Sequence, residues 1–179
     1  ALIDAIARQT FDFFWNEANL QTGLIKDRST PTSPASIAAV GFGLTAIPIG
    51  VDRGWITYEQ GLDRALMTLR FFDTDMQGQD GFFYHWIEMA TGKRAWESEV
   101  SSIDTALFIA GALSAGEYFR GTEVETLASQ LYADIDWQAF APNGKLISMG
   151  WKPETGYFRA KWDHFDESLL LYILAIGSP

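Results

Sequence analysis

Apolar and polar positions alternate in two distinct ways along this chain. In ALIDAIARQTFDFFWNEA (residues 1–18) apolar residues recur at helical spacing and Gly23 follows the run, which predicts a first amphipathic helix. From Ile37 to Val51 the segment carries no charge on any side. TYEQGLDRALMTLRFFD (57–73) is amphipathic again, with Thr57 placed as an N-cap and Leu62, Leu66 and Leu69 on one stripe. SSIDTALFIAGALSAGEYF (101–119) is nearly uncharged through its middle, and TEVETLASQLYADI (122–135) is amphipathic behind a Thr122 cap. SLLLYILAIG (168–177) is apolar all round.

One constant offset carries Thr57 onto Thr122, Leu62 onto Leu127 and Leu66 onto Leu131, so the unit that recurs is a helix pair. A helix apolar on every side must be covered on every side, whereas an amphipathic one keeps a wet face. Alternation of the two kinds therefore predicts an all-α fold in two concentric layers, the arrangement of an α/α toroid. An orthogonal or up-down bundle is the alternative. Two aromatic intervals interrupt the helices, GFFYHWIEMATGKRAWESE (81–99) and GKLISMGWKPETGYFRAKWDHFDE (144–167). Each predicts a short β-hairpin, turning at Thr91-Gly92 and at Pro153 to Gly156. No domain boundary or low-complexity segment is visible, so residues 1–179 read as one domain.

Composition narrows the partners. A net charge of −10 argues against nucleic acid and anionic membrane surfaces. There is no Cys, which removes disulfide and thiol chemistry. With 7 Trp, 6 Tyr and 13 Phe, the chain has the flat rings that stack on the apolar faces of pyranoses, although core packing uses the same residues. The uncharged stretch from Ala35 to Val51 raises the question of a membrane span; its glycines, Pro48 and short length favour a buried helix. The absence of an initiator Met suggests a processed or trimmed start.

Polar groups stand at the mouths of all three apolar helices: Ser36 at the first, Asp104 at the second, Asp166 and Glu167 at the third. Capping and the helix dipole explain such residues singly. In a toroid, however, the mouths of the inner helices converge, so the acids face one cleft. The aromatic intervals precede two of these mouths, bringing Trp86, Trp96, Trp151, Tyr157 and Trp162 to the same opening. Paired carboxylates across such a cleft suit glycoside hydrolysis, one protonating the leaving oxygen while another activates water or attacks carbon. Glu167 is the expected acid. Asp104 and Glu99 are expected to position substrate or water, with Asp166 adding a like charge. His85 and His164 are expected to hydrogen-bond sugar hydroxyls or neighbouring carboxylates, and Arg28 to form a wall of the cleft. Metal ligation by His85 with Glu88, or by His164 with Asp166, is the weaker reading, since the chain has two His and no repeated ligand spacing. The GFGLTA run lies inside an apolar helix rather than after a strand, so it is no dinucleotide fingerprint. No metal or other cofactor is expected.

Taken together, TFDFFWNEANLQTGLIKDRS, SIAAVGFGLTAIPIGVDRGWI, AWESEVSSIDTALFIAGAL, SMGWKPETGYF and DHFDESLLLYILAIGSP resemble the glycoamylase-like family over about Thr10 to Pro179. The family comprises bacterial (α/α)6-toroid proteins, including endo-β-1,2-glucanases and the transglycosylating domain of cyclic β-1,2-glucan synthases. The resemblance implies a β-glucan cleft with essential carboxylates among Glu99, Asp104, Asp166 and Glu167, and a periplasmic or cell-envelope location. It leaves open the linkage cleaved and whether configuration is inverted or retained. A six-hairpin ring needs about twelve helices, so this chain is expected to be the N-terminal half of a longer catalytic domain, inactive alone. The other half, or a second chain, would cover the apolar faces left by half a ring. A non-catalytic carbohydrate-binding protein on the same scaffold and a helical interaction module are the competing readings.

Overall fold

The computed structural model describes residues 2–179, and each expected helix is present in it. The helices are α1 (Leu2–Asn16), α2 (Ile37–Asp52), α3 (Tyr58–Thr74), α4 (Ser102–Tyr118), α5 (Glu123–Ala133) and α6 (Ser168–Gly177). Their starts are set by local caps. Thr57 and Gln60 form a reciprocal capping box, with Thr57 Oγ1 accepting from Gln60 N at 3.2 Å and Gln60 Oε1 from Thr57 N at 2.8 Å. Thr122 caps α5 through Val124 N, and Ser36 caps α2 through Ala39 N.

The alternation along the chain becomes two layers. The apolar helix α4 lies between α2 and α6, while α3 packs on α2 and α5 on α4. The amphipathic α3 and α5 also touch each other, and α1 lies against α2. Arg70 forks onto Glu123 across the outer pair, an exposed link that adds little net stability. The inner pair meets backbone to backbone. A Cβ at Gly111 would stand 2.0 Å from Gly41 O, and one at Gly41 would stand 2.4 Å from Leu107 O. Behind this contact Phe72 stacks on Phe108 at 4.0 Å, with Phe83 edge-on to both. Some large apolar side chains stay exposed on these helices, among them Ile3 on α1, Phe42 on α2, and Ile173 and Ile176 on α6. Among the described residues no helix is long and apolar enough to cross a membrane.

The strands are short. They are β1 (Ala35–Ser36), β2 (Gly78–Gln79), β3 (Phe82–Phe83), β4 (Trp86–Ile87), β5 (Val100–Ser101), β6 (Gly150–Lys152) and β7 (Gly156–Tyr157). The expected second hairpin is β6–β7, turning at residues 153–155. The first aromatic interval departs from expectation. It turns at Thr91 and Gly92 as expected, but its two arms meet through isolated bridges and single backbone bonds, Ile87 with Arg94 and His85 with Glu99, while its strand β4 pairs with β1 and the following β5 with β6. A hairpin that the sequence reading passed over, β2–β3, turns at Asp80 and Gly81, whose φ values of 54° and 82° are those an Asp-Gly turn favours.

Candidate active site

The cross-chain strand pairs bring the helix mouths together. Ser36, the cap of α2, pairs with Trp86, and Ile37 N donates to His85 O at 3.2 Å. On the other side His85 N donates to Glu99 O at 2.9 Å, and β5 runs straight into α4. His85 is thereby held between the starts of α2 and α4. Its ring stacks on Trp86 at 3.7 Å and 16°. Nδ1 lies 2.9 Å from Glu99 Oε1, and Nε2 lies 3.6 Å from Asp104 Oδ1.

Three expected site residues thus form one cluster, with the imidazole between two carboxylates. Burial alone would push the His85 pKa down, but the hydrogen bond to Glu99 and the charges of Asp104, Glu99 and Asp27 prevail and raise it. The same hydrogen bond holds Glu99 below its ordinary value against the opposing effect of burial. Asp104 behaves in the opposite way: it is 8% exposed, and desolvation outweighs the nearby His85 and the Ser101 hydroxyl, so its pKa rises. A Glu99 held toward its anion and a more readily protonated Asp104 on either side of one imidazole divide acid and base character between two neighbouring carboxyl groups. Asp104 is not the cap of α4, as its position had suggested; Ser101 is, and its hydroxyl bonds the Asp104 carboxylate.

The third mouth is tied to the second by an indole. Trp162 Nε1 donates to Ser102 Oγ at 2.9 Å, and Tyr172 Oη donates to Trp162 O at 2.7 Å. Glu167 occupies the N-cap position of α6, exposed and without a side-chain capping bond. Capping falls to Asp166, whose Oδ1 accepts from Ser168 N at 2.9 Å, and that bond lowers its pKa. Asp166 is therefore engaged by its own helix. Among the described residues no hydrogen bond or ion pair joins Glu167 to the His85 cluster; the segment before it is tied to the start of α4 through Trp162 and Ser102.

The remaining expected residues divide. Trp86 belongs to the cluster, and Trp96 reaches it through Trp86, the two indoles lying 5.6 Å apart. Trp151 is half-buried on β6 opposite Val100. Tyr157 gives its hydroxyl to Asp80 Oδ2 at 2.7 Å and packs edge-on to Phe140; burial, then that bond, raises its pKa. It serves as a tie between two hairpins. His164 pairs with Asp163 and is 83% exposed, so it stands apart from the cluster. Arg28 is exposed and forks onto Asp27 at 2.6 and 2.9 Å, meeting the site only through that neighbour. Asp27 and Ser101 were missed in the sequence; the KDRS run contained the first, and the Ser three residues before Asp104 was a readable cap signal for the second. Among the described residues no group of three or more His, Asp or Glu is arranged to hold a metal ion.

No family model matches the chain. Solved structures do match over nearly all of it. The chain is similar to glucoamylase-like proteins. It superposes on one from Bacteroides uniformis with a TM-score of 0.92 and 28% identity, over 99% of this chain and 46% of that one. An endo-β-1,2-glucanase of Chitinophaga pinensis, solved with sophorotriose and glucose, matches with a TM-score of 0.82 and 27% identity, over 98% of this chain and 46% of that one. In sequence, the chain is 25% identical over 193 residues to an exo-β-1,2-glucooligosaccharide sophorohydrolase of Parabacteroides distasonis, covering 99% of this chain and 26% of the relative. The chain thus spans about a quarter of that curated relative and just under half of the two solved structures.

Proposed function

We propose that this chain is part of a glycoside hydrolase acting on β-glucan, with β-1,2-glucan as its substrate class. The observation that carries the reading is the meeting of Glu99, His85 and Asp104 beside stacked Trp86, at helix mouths that Trp162 links to an uncapped Glu167. The β-1,2-glucan-cleaving relatives support the linkage. Glu167 is the general acid, and Asp104 and Glu99 position the substrate or the attacking water.

In the same reading residues 1–179 are the N-terminal half of an (α/α)6 ring. The other half, or a second chain, covers Ile3, Phe42, Ile173 and Ile176 and completes the catalytic groups. These residues alone then hydrolyse nothing, and the enzyme works in the periplasm or cell envelope.

The test is Glu167→Gln in the full-length protein that contains these residues, assayed on linear β-1,2-, β-1,3- and α-1,4-glucans with anomer analysis of the products. Turnover of the β-1,2-glucan falls by about 10²- to 10⁴-fold while binding persists. Near-normal turnover overturns the role of Glu167. Binding without turnover in the unmutated full-length protein favours a non-catalytic carbohydrate-binding protein on the same scaffold.

A further inference from the structure

Trp96 is 65% exposed, yet it ends a run of rings that starts at the carboxylates. His85 stacks on Trp86, and Trp86 meets Trp96 at 5.6 Å and 60°. The backbone that presents this indole is strained: Trp96 and Glu97 have φ of 53° and 50°, consecutive left-handed positions that bulky residues avoid. An exposed side chain gains no burial to offset such strain, and strain of this kind persists only where its surroundings enforce it.

Arg94 supplies the enforcement. Its Nε donates to Ser98 O at 2.6 Å and its NH2 to Glu97 O at 2.8 Å, so one guanidinium gathers the carbonyls of the turn. The same group forks onto Glu154 at 2.6 and 3.0 Å, anchoring the turn to the β6–β7 hairpin, and its Cζ lies 5.1 Å from the Tyr84 ring centroid. Ser98 closes the far side by donating to Trp86 O at 3.0 Å. Beside the indole opens a groove of about 430 Å³ whose walls include Thr32, Glu88, Arg94 and Trp96. A flat π-face bordered by hydroxyl and carboxylate groups matches a pyranose, which offers a face of C–H groups and a rim of hydroxyls.

We propose that Trp96 is the stacking platform for a sugar ring one step outside the carboxylate cluster, and that Arg94 is the positioning residue that holds the platform in place. The inference rests on the glycan-cleaving reading of the site and adds the place where a longer chain gains affinity over a short one.

The experiment measures binding of sophorose and of a linear β-1,2-linked glucopentaose to the full-length protein by calorimetry. Trp96→Ala weakens pentaose binding by up to about tenfold and sophorose binding less. Trp96→Tyr restores most of the loss, because a ring and not mere bulk is needed. Arg94→Met reproduces the loss, and combining it with Trp96→Ala adds nothing further, since both remove one platform. In NMR spectra the Trp96 indole N–H signal, assigned by its disappearance in Trp96→Tyr, shifts when pentaose is added. Pentaose affinity within twofold of wild type in Trp96→Ala overturns the inference, as do fully additive losses in the double variant. Trp96 is exposed, so its variants decide the matter even where Arg94→Met unfolds. Wild-type binding only to β-1,3 or α-1,4 saccharides overturns the substrate class alone, and the variants are then compared on that sugar. Wild-type binding to no glucan overturns both.

Discussion

The Trp162 indole donates to Ser102 Oγ across 2.9 Å, fastening the approach to α6 onto the first turn of α4. Ser102 Oγ in turn donates to Ser148 O at 2.7 Å, so the bond also reaches the edge of β6. The exposed Glu167 stands a few residues beyond this anchor, at the start of α6, which itself packs on α4.

Trp162→Phe keeps a ring but removes the donor. A net hydrogen bond of this kind is worth about 1 kcal/mol, so denaturant unfolding is expected to register a loss near that size. Turnover is expected to fall further than the stability loss accounts for, because one of the ties between the Glu167 segment and α4 is gone while the packing of α6 on α4 remains. Full turnover at reduced stability would show that the anchor does not position the acid.

The His85 cluster predicts a pH profile. The raised His85 pKa gives stability that is fully present below the ordinary imidazole value of 6.5 and is lost as pH climbs through the folded-state value. The lowered Glu99 pKa gives stability present above its ordinary 4.5 and lost as pH falls through the folded-state value. Asp104, raised by burial, costs stability as pH rises from its ordinary 3.8 through its folded-state value. Between about pH 6 and pH 9 the His85 contribution is the one that declines. Melting temperatures across that range are expected to fall in the wild type and to flatten in His85→Gln. Parallel alkaline limbs in the two proteins would remove His85 as the cause.

Gly111→Ala places a methyl group into the carbonyl of Gly41, 2.0 Å from the added carbon, and no flexible side chain is there to yield. α4 must move off α2, which carries the Ser36 cap and, through it, the strand beside His85. A loss of about 1–3 kcal/mol or more is expected in thermal or denaturant unfolding. Gly54→Ala is the control for a glycine with open space around it, although its φ of 65° brings a backbone cost of its own. Comparable stability of Gly111→Ala and wild type would mean that the inner helices do not meet as described.

The helices were legible because their signals are local. Hydrophobic period, Thr57, Thr122 and Ser36 each act within a turn of their own position, so α1 to α6 could be read without knowing what they touch. The Asp80-Gly81 turn was equally local and was simply not used. Other features were local but ambiguous. Asp166 and Tyr157 looked like cleft residues, and the structure commits one to capping Ser168 and the other to bonding Asp80.

The sequence by itself determined the alternation of apolar and amphipathic helices, and with it which helices must be covered. It also placed Asp104 and Glu167 at the mouths of two of those helices, with His85 and Glu99 in the aromatic interval before the first of the two. Tertiary structure alone decided that one imidazole lies between Glu99 and Asp104, and that Asp27 adds its charge to them. That outcome depends on two-residue strands pairing across the chain, Ser36 with Trp86 and Ser101 with Gly150. Strands so short carry no periodicity of their own; packing of the helices that flank them selects their partners.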